Sequence, residues 1–304
     1  MIKVDVFAPG DDEIGEGPLW SQADQALYWI DIARKHLRRK RLAEIKSVTW
    51  ALPDYPGCLA ELAPEKIAVA MGEGVQQVNL NTGVTDLLWP APPRRAGTRF
   101  NDGKVDPKGR LWAGTMRNNF GSNADDVPID RFDGALYRFT GDGRVETIQE
   151  EIGIPNTLAW SPDGTRFYFG DSLKERIDVY DFDLESGTLR NRRIFYDAPG
   201  HGIPDGSAID VDGCLWNARW DGAAVVKITP DGKLDRVIEL PALRPTSCAF
   251  GGADLKTLLV TSATHGMTAA QCKAFPLSGS VFAIDGAGQG TAVPHLRAAQ
   301  LKGG

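Results

Sequence analysis

The residues Pro204-Asp-Gly-Ser-Ala-Ile-Asp-Val-Asp-Gly-Cys-Leu-Trp216 contain the unit from which the fold of this chain can be predicted. It predicts a short strand, a tight Asp-Gly turn at residues 212–213 and the start of a second strand, because strand-forming residues flank a turn-forming pair. An acidic residue, Asp205, lies at the head of the first strand. The same layout recurs along the chain with other residues at this head position, and we expect the chemistry to lie at the heads.

Six units share this layout and repeat about every 40–55 residues, a period typical of propeller blades. Most units continue into a third strand and several into a fourth, with turns rich in glycine and aspartate between them, and no helical apolar period of useful length appears. The sequence therefore predicts an all-β protein: a six-bladed β-propeller with four-stranded antiparallel blades around a central channel, in a single domain over residues 1–304. The heads, in chain order, are Glu16, Cys58, Asn101, Asn156, Asp205 and Thr246.

Two segments fall outside the regular repeat. The last unit lacks an outer strand, and residues Val4–Phe7 can supply it and close the ring, which seals the edges that an open sheet exposes. Between Met116 and Gly134 lies a long polar insertion. This insertion, residues 117–134, is either a lid over the binding face or an ordinary surface loop, and both interpretations stay open.

The composition limits which binding partners and which cellular compartment are expected for this protein. The chain has 304 residues, a net charge of −6 and a pI of about 5.3, which argues against nucleic acid and an anionic membrane surface. No window approaches the roughly 18 apolar residues of a membrane span, and the N-terminus lacks the apolar core of a signal peptide. The four cysteines lie far apart without a paired motif, which predicts reduced thiols in the cytoplasm and no structural zinc. The oligomeric state stays open.

In a propeller the first strand of each blade lines the central channel, so residues at equivalent heights form a ring around one mouth. Glu16, Asn156 and Asp205 would bring two carboxylates and one amide carbonyl to this ring. Such oxygen ligands suit a hard divalent cation, with water and substrate in the remaining positions. Asn101 adds a second amide, and Arg99 adds a bidentate donor for hydroxyls or a developing anion.

Each head also has a simpler interpretation. An Asx-Gly pair, as in Asp205-Gly206 or Asp102-Gly103, is often only a turn. Recurrence at one register favours the ring, because independent turns need not converge on one channel mouth. A Ser/His/Asp nucleophile is not supported, since no Gly-x-Ser-x-Gly motif is present. His201 either reaches the mouth or is an ordinary loop residue. No phosphate-binding glycine loop precedes a helix, so nucleotide cofactors are disfavoured.

Several motifs together closely resemble the gluconolactonase/regucalcin (senescence marker protein) family. The resemblance runs from about residue 14 to residue 285, which is nearly the whole chain. The matching motifs are Glu16-Gly-Pro-Leu-Trp20, Arg99-Phe-Asn-Asp-Gly-Lys-Val-Asp-Pro107, Leu111-Trp-Ala-Gly-Thr-Met116, Gly134-Ala-Leu-Tyr-Arg138, Pro204-Asp-Gly206 and Cys248-Ala-Phe-Gly-Gly252.

The resemblance implies a six-bladed propeller that holds one divalent metal ion. The family's metal ligands match Glu16, Asn156 and Asp205. Oxygen ligands favour Ca²⁺, while Mg²⁺, Mn²⁺ and Zn²⁺ stay open.

The family's substrate-orienting arginine and asparagine match Arg99 and Asn101, and Asp102 follows them near the site. The main hypothesis is hydrolysis of a sugar-acid lactone, such as a gluconolactone-like aldonolactone, to the aldonic acid. The metal would act as a Lewis acid, and Asp205 is the best candidate for the general base because it can also reach a water.

Three other functions stay under consideration. The first is a divalent-metal-binding, regucalcin-like regulatory protein whose lactonase activity is incidental, and its site residues would be the same. The second is a propeller scaffold for protein partners, which a ring of carboxylates at the mouth argues against. The third is hydrolysis of organophosphate esters as a side activity, because the same metal could polarise a phosphoryl oxygen.

Overall fold

The sheets of the computed structural model, which describes residues 2–121, 127–197 and 200–298, confirm the predicted all-β propeller. There are six sheets, each with four antiparallel strands. We number the blades along the chain, and each begins with its innermost strand. Successive innermost strands contact one another, and the last contacts the first, so the ring around the channel is closed.

The strands follow in chain order within blades 1 to 5, and in blade 6 the N-terminal strand is the outermost. Blade 1 contains β2 (Gly15–Ser21), β3 (Ala26–Asp31), β4 (His36–Arg41) and β5 (Val48–Ala51), and blade 2 contains β6 (Pro56–Ala63), β7 (Lys66–Met71), β8 (Gly74–Asn79) and β9 (Thr85–Pro90). Blade 3 contains β10 (Thr98–Val105), β11 (Leu111–Arg117), β12 (Gly134–Phe139) and β13 (Val145–Ile152), and blade 4 contains β14 (Pro155–Trp160), β15 (Arg166–Asp171), β16 (Arg176–Phe182) and β17 (Leu189–Tyr196). Blade 5 contains β18 (Ile203–Ile209), β19 (Leu215–Trp220), β20 (Ala224–Ile228) and β21 (Leu234–Glu239), and blade 6 contains β22 (Arg244–Gly251), β23 (Thr257–Ala263), β24 (Val281–Asp285) and β1 (Lys3–Ala8).

The N-terminal strand closes the ring as predicted. β1 pairs antiparallel with β24, with Val4 opposite Ile284 and Val6 opposite Phe282. The outer edge of blade 6 is therefore covered by the start of the chain, and the two ends of the propeller are tied together.

The stretch Pro204–Trp216 forms β18, a turn and the start of β19. Asp210 organises the turn, because its Oδ1 accepts hydrogen bonds from the backbone N–H groups of Asp212 at 3.1 Å and Cys214 at 2.8 Å. Its other oxygen accepts the indole N–H of Trp216 at 2.9 Å. The buried indole is thereby satisfied, and the same kind of carboxylate–indole pair joins Asp106 to Trp112 and Asp12 to Trp29.

Every innermost strand carries a register irregularity at or beside its head. A β-bulge bends its strand and re-aims the side chains there, so the six heads leave the regular ladder at one end of the channel, which we call the upper mouth. The irregularities lie between Glu16 and Leu19, Pro56 and Cys58, Phe100 and Gly103, Asn156 and Ala159, Pro204 and Ser207, and Pro245 and Ser247.

The turn interpretation of the Asx-Gly pairs is wrong, because Asp205-Gly206 and Asp102-Gly103 both lie inside innermost strands. The glycines serve the packing of strands around the channel. A Cβ placed on Gly206 would lie 2.0 Å from the hydroxyl oxygen of Ser247 on the next innermost strand. Glycine at this position lets the two strands approach closely enough to close the ring.

Two long connections lie at the upper mouth, after β11 and after β23. The second contains a helix that the sequence did not predict, α1 (Ala269–Ala274), whose first turn is capped by Thr268 and Gln271. Among the residues that the structure describes, no helix is long and apolar enough to cross a membrane.

Candidate functional site

Glu16 of blade 1 and Asp205 of blade 5 meet at the upper mouth, and both side chains are buried, with 8% and 7% of their surface exposed. Burial and the charge of Asp102 raise the pKa of Glu16. Burial and the charge of Glu16 raise the pKa of Asp205. Two buried carboxyl groups within hydrogen-bonding reach of each other cannot both ionise unless a cation compensates them. The pair is therefore built either to share a proton or to hold a cation.

Asn156 of blade 4 is the third predicted ligand, and its amide orientation is determined by its neighbours. The Nδ2 group donates to Ser172 Oγ at 2.8 Å, and the Ser172 hydroxyl donates to the Pro204 carbonyl at 2.6 Å. The Oδ1 atom of Asn156 accepts a long hydrogen bond from Asn101 Nδ2 at 3.3 Å. The amide oxygen thus faces away from Ser172, which leaves it available as an oxygen ligand.

The backbone next to two of the heads is left-handed. Gly17 follows Glu16 with φ +57°, and Thr157 follows Asn156 with φ +54°. Glycine adopts this conformation freely, whereas for a β-branched residue it is a genuine outlier that costs about 1–3 kcal/mol. The Thr157 hydroxyl donates to the Asp205 carbonyl at 2.5 Å. This contact between blades 4 and 5 gives a physical reason for a threonine at a strained position.

Arg99 lies beneath the loop after β11 and is only 7% exposed. Its Nε and Nη2 groups donate to Asn119 Oδ1 at 3.0 and 2.8 Å, and its Nη1 group donates to Asn101 Oδ1 at 3.0 Å. Burial lowers the pKa of Arg99 to about 10, and the charge of Glu16 opposes this effect. Arg99 therefore orients two asparagine amides at the mouth. Sequence reasoning missed Asn119, because it belongs to an insertion outside the repeat.

An aromatic cluster of Tyr55, Phe120 and His265 spans part of the upper mouth. Phe120 stacks on Tyr55 with ring centroids 4.3 Å apart, and His265 meets Phe120 edge-on at 6.1 Å. The Arg99 guanidinium lies 5.3 Å from the Phe120 ring, within cation–π distance. The first part of the predicted lid thus contacts the site, while residues 122–126 lie outside the described residues.

Asp102 lies in the channel wall, below the ring formed by the head residues. Its Oδ1 accepts the N–H of Gly103 at 2.7 Å. Burial raises the pKa of Asp102 to about 6, whereas Lys104 and the backbone N–H groups of Thr157 and Leu158 oppose the shift. Its contacts thus join blades 3 and 4 below the mouth.

The remaining heads contribute no charge. Cys58 is a buried thiol, 1% exposed, and burial raises its pKa. Thr246 is fully buried and donates its hydroxyl to the Gly15 carbonyl at 2.5 Å, next to Glu16. Both residues belong to the wall of the channel, so the polar chemistry of the ring is concentrated in the other four heads.

His201 contributes to the mouth through its backbone. Its carbonyl accepts from Arg219 Nε at 3.2 Å, and Arg219 Nη2 donates to the Gly202 carbonyl at 2.6 Å. Arg219 is only 2% exposed, and it also donates to Asn217 Oδ1 at 3.0 Å. Sequence reasoning missed this arginine, which holds the loop that leads into Asp205.

The donor set fits a hard divalent cation. Among the residues with described positions, no three His, Cys, Asp or Glu side chains cluster as a metal site. A cation at the mouth would therefore take the carboxylates of Glu16 and Asp205 together with the amide oxygen of Asn156, all of them oxygen ligands. It would also compensate the negative charge of this buried carboxylate pair.

Comparisons with known proteins agree with this fold and these motifs. Residues 14–264 match the family described as SMP-30/Gluconolactonase/LRE-like region. A 6-deoxy-6-sulfogluconolactonase of Pseudomonas putida is 36% identical over 272 residues, which cover 89% of this chain and 90% of that protein. Regucalcin of Danio rerio is 35% identical over 290 residues, which cover 94% and 95%.

The solved structure of regucalcin from Agrobacterium tumefaciens, described as a calcium-binding protein, has a TM-score of 0.88, is 32% identical and covers 96% of both chains. The resemblance drawn from the motifs is confirmed. This chain belongs to the SMP-30/gluconolactonase/LRE-like family.

Proposed function

We propose that this protein is a sugar lactonase that hydrolyses an aldonolactone to the aldonic acid with the help of one divalent metal ion. The observation that carries the proposal is the buried carboxyl pair of Glu16 and Asp205 beside the oriented amide of Asn156. The sulfogluconolactonase among the relatives supports a lactone as the substrate class. When bound by these three residues, the metal supplies Lewis-acid polarisation of the lactone carbonyl.

Asp205 is the proposed general base. It accepts a proton from the attacking water, whose oxygen forms the new bond to the lactone carbonyl carbon. The ring C–O bond then breaks, and the proton passes to the ring oxygen as it leaves as a hydroxyl. The buried position of Asp205 suits this task, because a positioned base in a water-poor site holds the water in one orientation.

Arg99, Asn101 and Asp102 are the proposed substrate-binding residues, and Asn119 joins them. Arg99 holds the oxygen atoms of Asn101 and Asn119, and the NH₂ group of Asn119 has no hydrogen-bond acceptor among the described residues. We assign that NH₂ group to a hydroxyl of the sugar. Asp102 supports the set from below through the strand backbone that it holds.

Ca²⁺ is the metal that we propose. The three ligands are oxygen atoms, and the relative from Agrobacterium tumefaciens is described as calcium-binding. Mg²⁺, Mn²⁺ and Zn²⁺ are the competing ions. The deciding experiment strips the protein with a chelator, restores each ion separately and measures turnover of gluconolactone, xylonolactone, arabinolactone and galactonolactone. Rates no better than spontaneous ring opening on all four lactones would refute the proposal.

A second candidate is a calcium-binding regulatory protein with incidental lactonase activity. The regucalcin relatives favour it, and it would use the same residues. Tight calcium binding without turnover on the lactone panel would select this function. The described cysteines, including the exposed Cys272, are free thiols, so we propose the cytoplasm as the compartment for either function.

A further inference from the structure

Lys104 extends across the channel below the upper mouth. It belongs to β10 of blade 3, and its Nζ atom donates to the backbone carbonyl of Ser207 at 2.6 Å, on the innermost strand of blade 5. The side chain therefore passes the innermost strand of blade 4 on the channel side. Ser207 lies two positions after Asp205 on the same strand. An ammonium group is thereby placed inside the ring, directly beneath the carboxylates.

A cavity of about 290 Å³ lies on the far side of Lys104 from the mouth. Lys104 and Asp102 contribute its charged lining, and residues 291–294 of the C-terminal segment line its lower end. Hydrogen bonds hold that segment against blades 2 and 3. Leu296 N–H donates to the Glu61 carbonyl and Arg297 N–H donates to the Gly109 carbonyl, both at 2.8 Å. Lys104 thus forms a floor between the candidate site and an interior cavity.

The charge of Lys104 interacts with more than one carboxylate. Burial lowers the pKa of Lys104, while the charges of Asp102 and Glu16 oppose the shift. No carboxylate oxygen within the described ranges lies within 4.0 Å of Lys104 Nζ. The ammonium therefore acts on Asp102 and Glu16 without forming an ion pair with either, and the Ser207 carbonyl holds it in place.

Three buried acidic side chains lie at or just below the upper mouth, those of Glu16, Asp102 and Asp205. Their mutual repulsion disfavours the ionised, metal-free site unless fixed positive charge lies nearby. Arg99 supplies such charge from the side of the mouth, and Lys104 supplies it from below. A divalent cation at the mouth would be attracted by the carboxylates and repelled by both basic groups.

We propose that Lys104 is the internal counter-cation of this site: it holds the carboxylates together in the metal-free protein and is a positioning residue that weakens and thereby tunes metal affinity. The inference rests on the proposed metal site and not on lactone turnover. By linkage, a group that stabilises the metal-free state more than the metal-bound state lowers the apparent affinity for the metal.

The test is Lys104→Met, which removes the charge and keeps most of the volume. Calcium affinity is measured by titration calorimetry, and melting temperature with and without a chelator, at one fixed pH for all variants. We expect Lys104→Met to bind Ca²⁺ roughly fivefold tighter or more, and to lose more stability in the chelator than in calcium. Equal or weaker calcium affinity in the folded variant would overturn the inference.

Lys227→Met is the matched control. Lys227 is another partly buried lysine, 3.5 Å from Asp210 and over the Trp216 ring, but it lies on β20 outside the channel. Its loss is expected to lower stability equally with and without calcium and to leave calcium affinity within about twofold. A fivefold gain in the control would show that any lost lysine charge has the effect, which would also overturn the inference.

If Lys104→Met folds only with calcium, the inference is supported, because the metal then replaces the missing charge. If it folds in neither condition, Lys104→Arg decides: it keeps the charge and is expected to keep wild-type calcium affinity within about twofold, and a large gain would contradict the inference. Wild-type protein that binds no divalent ion would also overturn it. Calcium binding without lactone turnover would refute only the proposed enzyme.

Discussion

The hydroxyl of Thr157 donates a hydrogen bond to the backbone carbonyl of Asp205 over 2.5 Å, and it does so from a left-handed backbone with φ +54°. The contact joins the innermost strands of blades 4 and 5 directly behind two heads of the ring. Asn217 Nδ2 donates to the same carbonyl at 2.8 Å. The position of the proposed base is thus fixed by its own main chain, which two neighbouring side chains hold.

The first prediction concerns this hydroxyl. Thr157→Val keeps the shape of the side chain and removes the donor, so we expect a loss of about 1 kcal/mol in the free energy of unfolding. We also expect turnover to fall roughly tenfold, because small displacements of a catalytic group are costly. Thr157→Ser, which keeps the hydroxyl, is the control. If Val and Ser variants have equal turnover, the hydroxyl does not position Asp205.

The second prediction concerns Asp205 itself. Asp205→Asn is expected to keep the fold and to lose turnover by roughly 100-fold or more, because the amide cannot accept the proton of the attacking water. The measurement is the initial rate on gluconolactone with metal present. Asp212→Asn, in the exposed turn after β18, is the control and should retain wild-type rates. A near wild-type rate for Asp205→Asn would rule out the general-base role.

The third prediction concerns pH. The pKa of Glu16 is raised from 4.5 to about 8 in the fold, so the folded state binds a proton that the unfolded chain releases at lower pH. The stabilisation from this bound proton is complete below the pKa of Glu16 in the unfolded chain. It is lost as pH rises through the pKa of Glu16 in the folded protein. Without metal, the melting temperature should therefore fall as pH rises from 4.5 toward 8.

Calcium should reduce that fall, because the ionised carboxylates then bind the cation. Glu16→Gln separates this group from others with raised pKa values, such as Asp12. Calorimetric scans of both proteins across this pH range in a chelator give the comparison. An equally steep decline in Glu16→Gln would show that another group controls the pH dependence.

The fourth prediction concerns Asn119. Asn119→Ala removes the acceptor of two Arg99 hydrogen bonds and the NH₂ group assigned to the substrate. We expect KM to rise about tenfold while kcat changes less, because the lost contact holds the substrate and does not take part in the proton transfer. Arg117→Ala, which breaks only an ion pair with the exposed Asp130, is the control. A fall in kcat with unchanged KM would contradict this role.

The propeller itself was determined by local patterns in the sequence. In Pro204–Trp216 the strand, the Asp-Gly turn and the following strand are all encoded within 13 residues, and six such units can bury their apolar faces only by stacking against one another. The missing outer strand of the last blade likewise predicted the pairing of Val4–Phe7, which the β1–β24 ladder confirms. The equal register of the heads and the motif resemblance led to Glu16, Asn156 and Asp205.

How these side chains are held and charged depends on contacts that form only in the folded protein. Asn119 reaches Arg99 from an insertion that has no counterpart in the other blades, and Lys104 meets Ser207 across the ring, 103 positions away in the chain. Gly206, whose pair with Asp205 resembled a turn, is required by the approach of Ser247. Such contacts join different blades, so the energy of each depends on distances that no local pattern contains. Local patterns in the sequence indicate which residues lie at the mouth, whereas burial and contacts between blades determine what those residues can do there.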